Sequence, residues 1–213
     1  MNTEVDHIVV SADSLEQGRQ WCLEVLGVEP VDGGRHALMG THNILANLSS
    51  PAFAQCYLEI IAIDPQAPHP GRPRWFGLDH RSGPPALAGF AVRSRTLEHH
   101  RLGLMQHGID PGPVISLSRG ELHWQMLVND RATLPGVLPM LLAWGDRHPT
   151  DRMPDSGLSL QAVEMDGVPP ALAAALGVRG VVQPGGTSAR LAVRLGTPRG
   201  IVELQRVPVT PAA

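Results

Sequence analysis

Two ionisable side chains interrupt apolar, strand-like segments in the first third of the chain. His7 lies in VDHIVV and Glu59 lies in CYLEIIAI. Burying a carboxylate in such a segment costs several kcal/mol unless another group pairs with it. Three partners are open to Glu59: a metal ion, an arginine such as Arg35, or a proton gained through a raised pKa.

The position of these side chains on their strands favours a shared site. Side chains alternate between the two faces of a strand, so His7 is expected on the same face as Val5 and Val9. By the same rule Glu59 shares a face with the residues two positions before and after it. Both faces are candidates for one concave surface.

The stretch GGRHALMGTHN, residues 33–43, carries the second group of candidates. Its glycine pair permits backbone conformations closed to other residues, and we expect Arg35 and His36 to project over the rim of a cavity. A further glycine turn presents Asn43, whose amide both donates and accepts hydrogen bonds. We therefore predict that Arg35 and Asn43 bind substrate. The alternative for Asn43 is that it only satisfies backbone groups of a turn.

Three later residues complete the candidate set. His123 and Trp124 are adjacent in LHWQM, and Glu203 lies in IVELQ. His36 or His123 would serve as proton carrier, because a histidine titrates near neutral pH. Trp124 would form the floor of an apolar pocket, although aromatic residues in strands more often belong to the core. Glu203 is assigned to substrate binding, with a solvated edge position as its alternative.

Other aromatic and histidine residues are assigned structural roles. The tryptophans interpreted as packing residues are Trp21, Trp75 and Trp144. His148 precedes a proline in a connector, where a turn explains it.

Composition excludes several classes of function. The chain has 213 residues, a formal net charge of −3 and no lysine. The length suffices for a sizeable core. Without a basic tract the chain does not resemble a nucleic-acid-binding protein, and without lysine it cannot use Schiff-base catalysis. No G-x-S-x-G segment or Cys–His signature supports hydrolytic chemistry.

The cysteines and the N-terminal segment predict a cytoplasmic protein. Cys22 and Cys56 have no metal-motif spacing, and buried reduced thiols explain them. The N-terminal segment is acidic and soon polar, and no apolar run reaches the length of a membrane span. Neither a membrane nor a nucleic acid is expected as partner.

An internal repeat predicts the architecture. VDHIVVSADSLEQ (5–17) aligns with LAGFAVRSRTLEH (87–99), each a strand, a polar turn and a capped helix start. The helices are expected to end at LGVEP (26–30) and HGIDP (107–111), where glycine suits a helix C-terminus and proline prevents its continuation. Strand candidates follow in both copies.

These elements predict an α+β fold of tandem βαβββ units. That the units form a cupped, mixed or antiparallel sheet with flanking helices is implied by the family resemblance that the same elements carry. We expect a single domain over 1–213, with a first unit at 1–65, a Pro/Gly-rich connector at 66–85 and a second unit at 86–147. A degenerate third unit is expected at 157–208 from LSLQAVEM, PPALAAALGV, ARLAVRL and GIVELQRV.

The repeated unit, opening with DHIVV and closing its first copy with YLEIIAIDP, resembles the vicinal oxygen chelate superfamily. DHIVVSADSLEQGRQWCLEVLGVEP, GGRHALMGTHN, HWQMLV and TPRGIVEL look like its glyoxalase-like domain subfamily. The resemblance covers nearly the whole chain and implies a cupped sheet around a divalent metal. It also suggests a homodimer, because members often complete sheets or sites between subunits.

The resemblance implies His7 and Glu59 as metal ligands from the first unit, with Fe, Mn, Ni, Co or Zn as the ion. The second unit departs from the pattern, since alignment places Gly89 opposite His7 and Ala143 near Glu59. A catalytic metal needs at least three protein ligands. The missing ligand would come from one of three histidines, from Glu203, or from a second subunit. The three histidines are His36, His42 and His123.

Two main functions follow from this resemblance. The first is a metal-dependent lyase, isomerase or dioxygenase, in which the ion stabilises an anionic intermediate. The second is a metal-free protein that binds a small aromatic or amphipathic molecule without catalysis. The missing second-unit ligands favour the second slightly. A third alternative is a structural module whose cup is filled by side chains.

Overall fold

The computed structural model describes residues 3–129 and 137–206, and within them thirteen strands form two sheets. The strands are β1 (Thr3–Ser11), β2 (Val31–His36), β3 (Thr41–Asn47), β4 (Tyr57–Ile63), β5 (Ala86–Arg93), β6 (Val114–Arg119), β7 (Leu122–Leu127), β8 (Met140–Trp144), β9 (Ser159–Asp166), β10 (Val178–Arg179), β11 (Val181–Val182), β12 (Arg190–Thr197) and β13 (Gly200–Arg206).

Three α-helices accompany the described strands: α1 (Leu15–Trp21), α2 (Leu97–Gln106) and α3 (Pro170–Leu176). A π-helical turn, Cys22–Leu26, continues α1, and short 3-10 segments cover Trp75–His80 and Pro149–Arg152. No helix in the described part of the chain is long and apolar enough to cross a membrane.

The larger sheet is built from two halves with the same strand order. Its order is β2-β3-β4-β1-β5-β8-β7-β6, with β10 added beside β1. β1 lies parallel to β4, β5 lies parallel to β8, and the halves join through an antiparallel β1–β5 pair. This arrangement confirms the expected α+β fold with tandem βαβββ units in a cupped sheet.

The helices begin and end where the sequence predicts. Ser14 caps α1 by accepting a hydrogen bond from the backbone N–H of Gln17 at 3.1 Å. After the π turn, Gly27 adopts a left-handed conformation with φ of 75°, and Gly108 does the same after α2 with φ of 74°. Glycine suits these positions because it has no Cβ to clash there.

A β-bulge in β1 changes the predicted face of one residue. Val5 pairs with Val92 and His7 pairs with Ala91, so Asp6 between them has no partner on β5. A bulge inserts one residue and interrupts the alternation of faces. The expectation that Val5 shares a face with His7 is therefore wrong: Val5 packs in the outer core with Ile8, whereas His7 lines the concave side.

The last segment forms a sheet of its own, with the order β11-β9-β12-β13. Here β9 pairs with β12 in an antiparallel manner, whereas the first and last strands of the other two units are parallel. The sheet contributes to the same apolar core as the convex side of the large sheet. Leu176 of α3 joins this core, and the fully buried members of the sheet are Leu160, Val163, Met165, Leu191, Val193 and Leu195.

Some residues of the predicted units lie outside the described structure. These are residues 1–2 of the first unit, 130–136 of the second and 207–208 of the third.

Candidate functional site

A cavity opens on the concave face of the large sheet, with a polar end and an apolar end. About 50 Å³ of it can hold the centre of a water molecule, several times the roughly 10–15 Å³ that one water needs. The cavity therefore suits a small molecule. Its lining residues are His7, His36, Asn43, Tyr57, Glu59, Trp75, Phe76, Ala91, Arg119, Trp124, Met126, Met140, Leu142 and Trp144.

Glu59 is the centre of the polar end. It is 5% exposed, and its Oε1 accepts a hydrogen bond from the Nδ2 of Asn43 at 2.5 Å. The Nε2 of His7 lies 3.6 Å from Oε2, and the Nε2 of His36 lies 3.9 Å from Oε1. Both distances exceed hydrogen-bond length, so neither histidine uses up the carboxylate. Glu59 thus keeps accepting capacity towards the cavity.

Asp6 fixes the orientation of His7 from behind. The Nδ1 of His7 donates to Asp6 at 2.6 Å, and the fully buried carboxylate also accepts from Trp144 Nε1 at 2.9 Å and His148 Nε2 at 3.1 Å. With Nδ1 engaged, His7 turns Nε2 towards Glu59. The bulge makes this pairing feasible, because adjacent residues of a regular strand point to opposite faces.

The pKa values of this pair are shifted in opposite directions. Burial alone would raise the pKa of Asp6, but hydrogen bonds from His148 and His7 and their charges hold it well below its usual range. Burial alone would lower the pKa of His7, but the hydrogen bond and charge of Asp6, with the charge of Glu59, raise it above 6.5. The pair therefore favours an imidazolium beside a carboxylate.

His36 is the neutral histidine of the site. Burial lowers its pKa to about 4, although the charge of Glu59 acts in the opposite direction. Its Nδ1 lies 3.1 Å from the hydroxyl of Thr41. At neutral pH His36 is therefore uncharged, whereas the raised pKa of His7 favours its charged form.

The glycine pair of the opening stretch serves close packing. Neither Gly33 nor Gly34 has a positive φ, so the expectation of a special backbone conformation is wrong. A Cβ on Gly33 would lie 2.1 Å from Oδ1 of Asn43, and one on Gly34 would lie 2.3 Å from Cδ of Arg119. The pair is glycine because two polar side chains of the site lie directly against it.

Arg119 closes the seam between the two edge strands of the large sheet. It ends β6, whereas Gly34 lies on β2 at the opposite end of the strand order. Its Nη1 lies 3.5 Å from Oδ1 of Asn43, whose oxygen also accepts from the Gly34 N–H at 2.7 Å. One side chain thus bridges edges that no backbone ladder joins, and it lines the cavity there.

The second half of the sheet supplies most of the apolar end. Trp124 and Trp144 pack against each other with ring centroids 5.3 Å apart. Trp75 and Phe76 of the connector also line the cavity. Tyr57 stacks on His7 with ring centroids 4.6 Å apart, and burial raises the pKa of its hydroxyl well above 10. The methionine and leucine lining residues are Met126, Met140 and Leu142.

The positions equivalent to His7 and Glu59 in the second half carry no metal-binding side chain. In the first half, Glu59 lies opposite Val9. The repeat alignment matches Val9 with Ala91, and Met140 lies opposite Ala91. The same alignment matches His7 with Gly89, which lies opposite Val9 in the β1–β5 pair. The counterpart of Glu59 is therefore Met140, and the expected match to Ala143 is wrong by three residues. Gly89 is covered by the ring of Phe76, which lies 3.0 Å from where a Cβ would be.

The donor set does not fit a resident catalytic metal. His7 and Glu59 are two donors where at least three are needed. His36 is near, yet the Oε1 that faces it is already bonded to Asn43. Within residues 3–129 and 137–206, no group of three or more His, Cys, Asp or Glu side chains is arranged to hold a metal ion.

The structure brings five of the eight sequence-predicted site residues to one cavity: His7, His36, Asn43, Glu59 and Trp124. The other three lie elsewhere. Arg35 is exposed and pairs with Asp64 at 3.2 Å on the outer face. His123 is exposed on the face of β7 opposite Trp124, and Glu203 lies on the second sheet, 4.0 Å from Arg194.

Several residues of the site were missed or assigned other roles by sequence reasoning. The sequence assigns Trp75 and Trp144 to packing and His148 to a turn, and it does not single out Asp6 or Arg119. Asp6 carried a usable signal, because adjacent ionisable residues within a strand imply a bulge if both are buried. No feature of the sequence marks Arg119 as a site residue, since its position depends on how the two sheet edges meet.

Comparison with known proteins agrees with the fold. A family model described as a glyoxalase-like domain matches residues 5–180. A search of curated proteins found no match.

Among solved structures, a hypothetical protein from Staphylococcus aureus is 16% identical, with 78% of this chain and 70% of that chain covered and a TM-score of 0.51. A methylmalonyl-CoA epimerase from Mycobacterium tuberculosis is 18% identical, with 66% and 85% covered and a TM-score of 0.41. Another methylmalonyl-CoA epimerase, in complex with methylmalonyl-CoA and NH4+, is 12% identical, with 68% and 97% covered and a TM-score of 0.46. At these identities the likeness concerns the fold alone.

Proposed function

The chain belongs to the glyoxalase-like domain family, and on that premise we propose that it binds a small amphipathic molecule in the cup of its large sheet. The polar part of the ligand lies against Glu59, His7 and Asn43. Its apolar part lies against Trp124 and the methionines of the second half. Concave, mostly apolar sites with a few convergent polar groups are typical of small-molecule binding.

The observation that carries this proposal is the incomplete pairing of Glu59. A buried carboxylate with one hydrogen bond from Asn43 and two histidines just outside bonding distance retains free acceptor positions. Buried polar oxygens are normally hydrogen-bonded, and a ligand hydroxyl or amide N–H would supply a bond on the cavity side. The same ligand would place an acceptor oxygen within reach of the Nε2 of His7.

Acid–base catalysis without a metal is a second candidate function. The specific observation in its favour is the 2.6 Å hydrogen bond from His7 to Asp6, which holds a proton on Nδ1 and aims Nε2 at Glu59. In this role His7 donates a proton to a ligand oxygen, and Glu59 accepts one from the ligand. Both proton transfers use only these side chains, and the donor set supplies two ligands where a catalytic metal needs three.

Binding is tested by calorimetry with three probes that share an apolar body, namely benzyl alcohol, phenylacetamide and phenylacetate. We expect at least one probe to bind and to lose about tenfold in affinity in Glu59→Gln and in Trp124→Ala. The exposed Glu121→Gln serves as the matched control and should bind as the wild type does. Absence of binding by every probe, together with native mass spectra free of any retained small molecule, would refute the proposal.

The metal question has its own test. Untagged protein, His7→Ala and Glu59→Ala are compared by elemental mass spectrometry after incubation with Fe, Mn, Ni, Co and Zn. We expect well below one ion per chain in all three proteins. A near-stoichiometric ion in the wild type that disappears in both variants would replace this proposal with the metal-dependent lyase, isomerase or dioxygenase.

A further inference from the structure

We infer that the ligand of this cavity is an organic anion, whose carboxylate is held by Arg119 at the seam between β2 and β6. The inference rests on the proposed function, since it names the chemical class of the molecule bound in the same cup.

The first argument is the charge of Arg119. Among the described residues it forms no ion pair with a carboxylate, and its one polar contact is the 3.5 Å approach to Asn43. Three well-buried arginines of the described residues are each paired with a carboxylate: Arg74 with Asp79, Arg81 with Asp13, and Arg93 with Glu4. A guanidinium that lines a cavity without a counter-charge favours an anionic occupant, because its planar donors match a carboxylate.

The second argument is that the chain makes room for this side chain. Gly34 has no Cβ, and the Cδ of Arg119 occupies the space where one would be. The guanidinium is thereby held over the seam, instead of extending into solvent from the end of an edge strand.

The third argument concerns Glu59, which would repel an anion placed beside it. The amide of Asn43 separates the two charges, since its Nδ2 bonds Glu59 and its Oδ1 faces Arg119. A carboxylate on the Arg119 side of this amide avoids Glu59. The ligand is therefore expected to carry its anionic group at the seam and a hydrogen-bond donor, such as a hydroxyl, towards Glu59.

The apolar end restricts the rest of the ligand. Trp124, Trp144 and the methionines offer flat and flexible surfaces, which suit an aromatic ring or a branched alkyl chain. The small volume favours a single carboxylate on a compact body.

The test compares carboxylates with their neutral amides, which have nearly the same shape. Calorimetry at pH 7 is run with benzoate and benzamide, phenylacetate and phenylacetamide, and hexanoate and hexanamide. In at least one pair we expect the wild type to bind the carboxylate about tenfold more tightly than the amide. Arg119→Gln should reduce this preference to about twofold or less, and Arg119→Lys should retain part of it. Arg147→Gln, an exposed arginine paired with Glu121, is the matched control and should keep the full preference.

The outcomes separate this inference from the proposed function. Binding of an amide as tightly as its carboxylate, in every pair, leaves a small-molecule cup and refutes the anion. A carboxylate preference that survives in Arg119→Gln also refutes the role of this residue. Absence of binding by all six probes overturns the inference, and if native mass spectra also show no retained molecule, the proposed function falls with it.

Discussion

At the scale of single residues, the candidate site places two histidines in environments that shift their pKa values differently. His7 and His36 lie on either side of the same carboxylate, yet one pKa is raised and the other lowered. The difference arises because His7 donates to a buried carboxylate, whereas the Nδ1 of His36 meets a neutral hydroxyl. Environments that shift similar groups in opposite directions are typical of functional sites.

Replacing Asp6 by asparagine should lower the pKa of His7, because the negative charge that holds its proton is removed. The measurement is an NMR titration of the imidazole carbon-bound protons. His148→Gln is the control, since it leaves the bond between Asp6 and His7 in place and should change the pKa less. A pKa of His7 unchanged in Asp6→Asn would contradict the assigned orientation.

The lowered pKa of His36 predicts a loss of stability in acid. The unfolded chain binds this proton below pH 6.5, whereas the folded chain does so only near pH 4. Stability from this group is complete above pH 6.5 and falls as the pH is lowered to about 4, by about 3 kcal/mol in total. Urea unfolding at several pH values measures it. His36→Gln should show a shallower decline in this window, and His123→Gln should not.

At the scale of elements, irregularities in two strands help to build the site. The bulge in β1 brings Asp6 to the same side as His7, and the register shift in β2 lies between Asp32 and Arg35, around the glycine pair. Regular strands would place these side chains on opposite faces or keep them apart. Arg119, at the end of β6, then reaches across to β2.

Alanine substitutions at Gly33 and Gly34 should lower the stability of the protein by different amounts. Gly33→Ala should lower the free energy of unfolding by about 1–3 kcal/mol, because its Cβ would meet both the side chain and the backbone carbonyl of Asn43. Gly34→Ala should cost less stability, since it displaces only the flexible side chain of Arg119. Chemical denaturation gives both values.

Gly103→Ala is the control for this pair. Gly103 lies within α2, and its nearest neighbour to an added Cβ is 3.8 Å away. Alanine there should be neutral or stabilising. Equal destabilisation by all three substitutions would contradict the close-packing explanation.

At the scale of the whole molecule, one apolar core joins both sheets. Fully buried residues of β9 and β12 pack in the same cluster as those of β1 and β4, and the backbone N–H of Leu160 donates to the carbonyl of Leu48 at 2.9 Å. The described residues therefore share their main source of stability. The homodimer and the cytoplasmic location stay predictions.

Removing residues 158–213 should abolish cooperative folding. The deletion takes away the partners of the convex face, so that large apolar side chains such as Ile8 and Leu58 lose their cover. Thermal unfolding followed by circular dichroism, with dye binding to exposed apolar surface, measures the effect. A sharp transition in the shortened chain at a temperature near that of the full chain would contradict a shared core.

The sequence by itself determined the repeated strand–helix–strand order and the helix ends at Gly27 and Gly108. It also made His7 and Glu59 candidates for one concave surface, through the strand face on which each lies. These features are local, because capping chemistry, left-handed glycines and strand periodicity act over a few residues. Periodicity failed only where a bulge broke it, at Val5 and Asp6.

The tertiary structure alone decided which distant side chains complete the site. Met140 stands opposite Ala91 through strand register, His148 returns from a connector to Asp6, and Arg119 meets Gly34 because the edges of a twisted, cupped sheet approach each other. None of these contacts has a fixed spacing along the chain. They follow from the packing of two half-sheets around one cavity. That packing supplies Arg119 but no third metal donor, and this is why the proposed ligand is an organic anion.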